Sequence, residues 1–195
     1  MKHVTILVPE GDVNLNTVSG AFEILMGAND HWQQMGNPSL LVIEVAGFDT
    51  GLKMQHKYFA ICPSNIRKIR STDLVLIPSV YADPVTVMKK NKALVNWINY
   101  QYKNGAEVAS MCTGAFLLAA SGVLDGKSCS THWSAMDSFR QLFPNVKLVE
   151  DKIITDEHGI YTNGGGYSFL NLMLYLVEKI FDRSTAIFCS KIFQI

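Results

Sequence analysis

Four short apolar runs constrain the architecture more than any motif does. VTILVP (residues 4–9), LLVIEVAGF (40–48), DLVLIPS (73–79) and AEVASM (106–111) are each too short for a buried helix and are bounded by turn residues. Runs of that kind are strands covered on both faces. Between them the period changes to that of a helix. LNTVSGAFEILMGAN (15–29) places Leu15, Val18, Phe22, Leu25 and Met26 on one stripe. NKALVNWINYQYKNG (91–105) puts Leu94, Trp97, Ile98 and Tyr102 on one face and stops at Asn104-Gly105, as a helix C-terminus does. GAFLLAASG (114–122), SAMDSFRQLFP (134–144) and the strongly apolar YSFLNLMLYLVEKIF (167–181) continue the helical pattern, and residues 146–166 read as strands separated by a turn at His158-Gly159.

Strands alternating with helices predict a doubly wound α/β domain with a mostly parallel central sheet. Ligands in such sheets bind beyond the carboxyl ends of the strands. That rule brings the loops 9–16, 79–83, 112–114 and 163–166 to a common rim. With 195 residues and no linker or repeat, one domain over 1–195 is expected. The last segment, DRSTAIFCSKIFQI (182–195), is still periodic at Ile195, the pattern of a chain that continues.

Lys and Arg together number 17 and so do Asp and Glu, so the formal charge is zero and no basic stripe marks a DNA-binding face. RKIR (67–70) and KKNK (89–92) are short enough to be solvated surface. No apolar run reaches the roughly 18–20 residues of a membrane span. MKHVTILVPEGD lacks the long apolar core of a signal peptide, so a cytoplasmic protein without a membrane anchor is expected. Cys62, Cys112, Cys129 and Cys189 show no metal-ligand spacing and are expected as free thiols, with no metal bound. Gly164–Gly166 lack the lysine of a phosphate loop and the spacing of a dinucleotide fingerprint. They are expected to form a tight turn beside the rim, and no cofactor is expected.

The chemistry concentrates in VASMCTGAFLLAASG (108–122), where a strand runs into Cys-Thr-Gly and a helix. This is the pattern of a nucleophile elbow, in which a sharp turn lifts the side chain above the sheet beside a helix N-terminus. Gly114 stands where a tight turn has no room for a Cβ. The plainer alternative is a buried cysteine acting as a small hydrophobe. CSTHW places His132 twenty residues downstream, at a strand end near the elbow. Trp133 is expected to pack under the helix that follows it, and Trp97, on an apolar helical stripe, in the core.

VASMCTGAFLLAASGVLDGKSCSTHW, LFPNV and TNGGGYSFLNLMLYLVEKIF together resemble the ThiJ/PfpI (class I glutamine-amidotransferase-like) superfamily. More narrowly, they and the helix SGAFEIL…AN resemble the N-terminal sensor domain of AraC-family transcriptional regulators. The resemblance implies a flavodoxin-like sandwich, an elbow cysteine at Cys112 and a companion histidine at His132. It also implies a homodimer, and a helix-turn-helix domain beyond residue 195 through which DNA is read. Enzymes of the superfamily add a carboxylate on the first loop, near position 16: an Asp in isonitrile-hydratase-like members and a Glu in hydrolase-like ones. Here that place holds Asn16 and Thr17, which cannot accept a proton near neutral pH. Glu10 and Asp12 in the same loop are the available substitutes. Thr113 also stands where the protease-like branch has a histidine.

General acid–base help is worth roughly 10²–10⁴-fold in rate. Its loss disables an enzyme but not a receptor. The expectation is therefore a ligand-sensing domain, with Cys112, Thr113, Gly114, His132, Asn16, Gly164 and Gly165 around a small polar or anionic metabolite. The alternative is a stand-alone cysteine enzyme, isonitrile-hydratase-like or amidase-like, with Cys112 as nucleophile and His132 assisting.

Overall fold

The computed structural model describes residues 1–51, 53–55 and 59–195, without the side chains of 53–55 and 59. The chain runs through β1 (Lys2–Leu7), α1 (Leu15–Gln34), β2 (Leu41–Gly47), a ribbon of β3 (Lys53–Gln55) and β4 (Phe59–Ile61), and β5 (Ser64–Asn65). There follow β6 (Leu74–Ile77), α2 (Pro84–Lys90), α3 (Lys92–Lys103), β7 (Glu107–Met111) and α4 (Ala115–Ala120). The remainder carries β8 (Ser128–Cys129), α5 (Met136–Leu142), β9 (Lys147–Leu148), β10 (Ile154–Asp156), β11 (Ile160–Asn163), α6 (Phe169–Ile180) and α7 (Arg183–Phe193).

Seven strands make one sheet in the order β10-β11-β7-β6-β1-β2-β5. Every pairing is parallel except β10 with β11, which returns through His158 and Gly159, both at positive φ. The two-residue alternation of side chains divides the core between the faces. Val4 and Ile6, Leu74 and Leu76, Ala109 and Met111 point toward α1, α6 and α7. Leu7, Val75, Ile77 and Val108 point toward α2, α3, α4 and α5. The fold is the doubly wound α/β domain that the pattern of runs predicts, in the flavodoxin-like form that the resemblance implies.

Local chemistry sets the boundaries. Asn14 caps α1 by accepting the Asn16 N–H at 3.1 Å. Asp83 caps α2, with Pro84 as its first residue. Helix α7 ends at Phe193, where Gln194 turns left-handed at φ 54° and its N–H reaches the Ser190 carbonyl. The periodic pattern that the sequence carries to Ile195 therefore stops two residues short of it. Among the described residues, no helix is long and apolar enough to cross a membrane.

The sheet edge is fixed to α6 by charge. Lys179 Nζ lies 2.8 Å and Tyr175 OH 2.6 Å from Asp156 Oδ2. Desolvation would raise the Asp156 carboxyl, but the bonds from Lys179 and Tyr175 outweigh it and hold the group below its ordinary range. A carboxyl depressed on folding contributes stability that is complete above its unfolded value, about 4, and is lost as pH falls through the folded value. Asp156→Asn is expected to lower the urea midpoint at neutral pH. The gap to wild type should close as the pH drops below about 4. A gap that persists unchanged into acid would contradict this.

Candidate active or ligand site around Cys112

Strand β7 ends at Met111 in extended backbone, and the next residue, Cys112, stands at φ 55°. A non-glycine residue in the left-handed region is strained by about 1–3 kcal/mol and persists only where its surroundings hold it. Three contacts do so. The Cys112 carbonyl accepts from the buried Thr131 hydroxyl at 3.1 Å. The Thr113 hydroxyl donates to the Val80 carbonyl at 2.6 Å while accepting the Val80 N–H at 3.0 Å and meeting Ser79 Oγ at 3.0 Å. At Gly114, an added Cβ would lie 2.6 Å from the Pro78 carbonyl oxygen and 2.7 Å from that of Ile77. The elbow is thus pressed onto the end of β6, and it turns the Cys112 side chain out of the sheet with 8% of the residue exposed.

Across from the sulfur lies the turn after β11. Gly165 takes φ 110° and ψ −176°, a conformation open essentially to glycine alone. A Cβ there would stand 3.2 Å from Cys112 Sγ and 2.7 Å from His132 Cδ2. The buried Asn163 holds this turn, accepting the Gly165 N–H at 3.1 Å and donating to Ser168 Oγ at 2.9 Å. His132 accepts the Ser134 N–H on Nδ1 at 3.3 Å, with Ser134 Oγ 2.7 Å away.

These elements enclose a cavity of about 380 Å³. Cys112, Thr113 and Phe116 come from the elbow; Ser79, Val80, Tyr81, Ala82 and Pro84 from the loop after β6; Asn14 from the head of α1; His132, Ser134, Ala135 and Ser138 from the approach to α5; and Gly166 from the late turn. The four loops predicted at a common rim do meet, and the segment from His132 to Ser138 joins them. Among the described residues, the lining includes no Asp, Glu, Lys or Arg. Desolvation, with the neighbouring Cys112 and Tyr167 adding to it, raises the Tyr81 phenol, which stays protonated.

The sequence-predicted residues divide. Cys112, Thr113 and His132 line the cavity, and Gly114 and Gly165 shape it through close approach. The Thr113 hydroxyl is committed to the loop after β6. Gly164 sits behind, against Ser130 Oγ and the Lys152 carbonyl, in a smaller recess. Asn16 is exposed, reaches Tyr167 OH at 3.4 Å and lines a separate groove with Leu15, Ser19 and Phe22. Its place at the cavity is taken by Asn14. Glu10 ties its backbone to Asn91 and lines another recess, and Asp12 uses its carbonyl to accept the Tyr81 N–H at 2.9 Å. Neither carboxylate lines the cavity, and among the described residues no acidic side chain is hydrogen-bonded to Cys112.

Sequence reasoning missed Asn14 and Tyr81. The first carries a signal, an Asn immediately before an apolar-periodic helix; the second carries none beyond its place in a rim loop. Trp133 does not pack inside as expected: it is 75% exposed, beside the His132 ring. Trp97 packs, half-buried, against the core. All four cysteines are free, and burial pushes the Cys129 thiol up to about 12 and that of Cys189 to about 11.

The model of the DJ-1/PfpI family matches residues 43–179. The chain is 32% identical over 101 residues to the HTH-type transcriptional regulator CdhR of Pseudomonas aeruginosa, a match covering 52% of this chain and 30% of that protein. It is 27% identical over 116 residues to the isonitrile hydratase of Pseudomonas putida, covering 58% of this chain and 48% of the enzyme. The matches thus span half or less of those relatives' own length. Among solved structures, a putative transcriptional regulator from Vibrio parahaemolyticus superposes with a TM-score of 0.86 over 98% of both chains at 23% identity, a likeness of fold.

Proposed function

This chain belongs to the DJ-1/PfpI family, and from that premise we propose that it is the ligand-sensing domain of an AraC-type transcriptional regulator. The observation that carries the reading is an elbow cavity without a carboxylate. Cys112 occupies the strained turn of a nucleophile, yet neither Glu10 nor Asp12 lines the cavity and position 16 is an exposed amide. A pocket so built retains shape and hydrogen-bonding groups for recognition while lacking the carboxylate that the superfamily's enzymes add on the first loop. The similarity to a helix-turn-helix regulator supports the same side of the choice.

In this reading a small molecule seated over Cys112 changes the geometry of a cytoplasmic homodimer and so its affinity for a promoter. DNA is read by a separate helix-turn-helix segment, since the balanced charge of these 195 residues offers no phosphate-binding stripe. The test is Cys112→Ala, assayed by a reporter gene under the regulator's own promoter and by turnover of isonitriles and carboxamides. Regulation is expected to survive the substitution, with no turnover by either protein. Turnover by the wild type that falls about 10³-fold or more in the variant would establish a cysteine enzyme instead.

A further inference from the structure

The proton positions in the cavity restrict what it accepts. Thr113 has one hydroxyl proton and gives it to the Val80 carbonyl at 2.6 Å. Its contact with Ser79 at 3.0 Å must therefore run the other way, from the Ser79 hydroxyl to Thr113 Oγ1. Ser79 is left with lone pairs only. Asn14 spends its side-chain oxygen on the Asn16 N–H as the cap of α1, which leaves its NH₂ as the free half of the amide. Nδ1 of His132 accepts the Ser134 N–H at 3.3 Å and lies 2.7 Å from Ser134 Oγ, an arrangement that fits the tautomer with its proton on Nε2.

The cavity thus offers N–H donors from Asn14 and His132 and an acceptor at Ser79, beside the Tyr81, Ser134 and Ser138 hydroxyls and the Cys112 thiol, which can turn either way. Among the described residues, it has no carboxylate, ammonium or guanidinium to neutralise a charged guest. Burying an ion without a partner of opposite charge is costly, whereas a neutral group that matches donors and acceptors loses little. Resting on the sensing role proposed above, we infer that the Cys112 cavity takes an uncharged small molecule bearing a carboxamide-like group. Its carbonyl is held by Asn14 and His132, and its N–H meets Ser79. A carboxylate of the same shape places an acceptor against the Ser79 lone pairs, and an ammonium places donors against donors.

The test uses a matched set of probes, butyramide, butyrate and butylammonium. Two readouts run side by side: slowing of Cys112 alkylation by iodoacetamide, with the exposed Cys62 as internal reference, and the rise in thermal midpoint. Butyramide is expected to act at a concentration at least about tenfold lower than the other two. In Asn14→Asp, which still caps the helix but replaces the amide NH₂ with a carboxylate, the order should change to favour butylammonium. Asn14→Ser, also a competent cap, should lose the preference for the amide. Tighter binding of butyrate or butylammonium to the wild type, equal action of all three, or no effect in either readout overturns the inference. Release of ammonia from bound butyramide would instead overturn the sensing role while leaving the ligand class in place.

Discussion

Gly114→Ala is expected to cost the fold roughly 3 kcal/mol, read as a fall in the urea midpoint with unchanged slope. The backbone at Gly114 is ordinary helical, φ −56°, so the cost is not one of conformation. It arises because a methyl group would stand 2.6 and 2.7 Å from two carbonyl oxygens of β6 and the residue after it. Backbone carbonyls in a parallel sheet cannot swing aside as a flexible side chain can, so α4 or the end of β6 must shift as a unit. Gly122→Ala is the control. It has φ 76° and nothing within 4 Å, so it carries a conformational penalty without a steric one, about 1–2 kcal/mol. If both variants lose the same small amount, the elbow is not pinned where the structure places it.

Most of this framework was legible in the residues because it depends on periodicity. β6 is a continuous apolar run and β1, β2 and β7 are short, mostly apolar ones, while α1, α3 and α6 are long enough for a 3.6-residue stripe to emerge. The two-residue strands β5, β8 and β9 have no period to detect. Helix α2 also went unread, although Asp83-Pro84 marks its start by capping chemistry rather than by an apolar face. The elbow was legible for the same reason as the strands: its geometry follows from chain order, strand then Cys-Thr-Gly then helix.

Side-chain direction in loops is a different matter. The analogy with a carboxylate in related enzymes puts Asn16 at the cavity, but it lies on the exposed first turn of α1. The cap two residues earlier, Asn14, faces the cavity instead. Trp133 is expected under the helix that follows it, yet it sits exposed in the short 3₁₀ turn after His132, where no periodicity directs it inward. The sequence places Thr113 among the groups for the ligand. In the structure its hydroxyl is already saturated by Ser79 and Val80, a commitment that no spacing in the sequence marks.

That saturation makes Thr113→Val the second substitution with a large expected effect. Valine keeps the volume and removes the oxygen. The buried Val80 N–H and carbonyl then lose their partner together, as does the Ser79 hydroxyl. A buried polar group left unsatisfied costs about 1–3 kcal/mol, so a total near 3 kcal/mol is expected from chemical unfolding, with most of it restored in Thr113→Ser. The loss should not be confined to stability. The same hydroxyl fastens the loop that carries Tyr81 over the cavity, and it also holds in register the residue that follows the strained Cys112. Releasing it frees the loop to move and Cys112 to leave φ 55°, so the thiol should be alkylated faster in Thr113→Val under conditions where both proteins remain folded. A variant that is less stable but unchanged in Cys112 alkylation would mean that the staple supports the sheet without holding the elbow. Faster alkylation reversed by serine would tie the strained turn to this one hydroxyl.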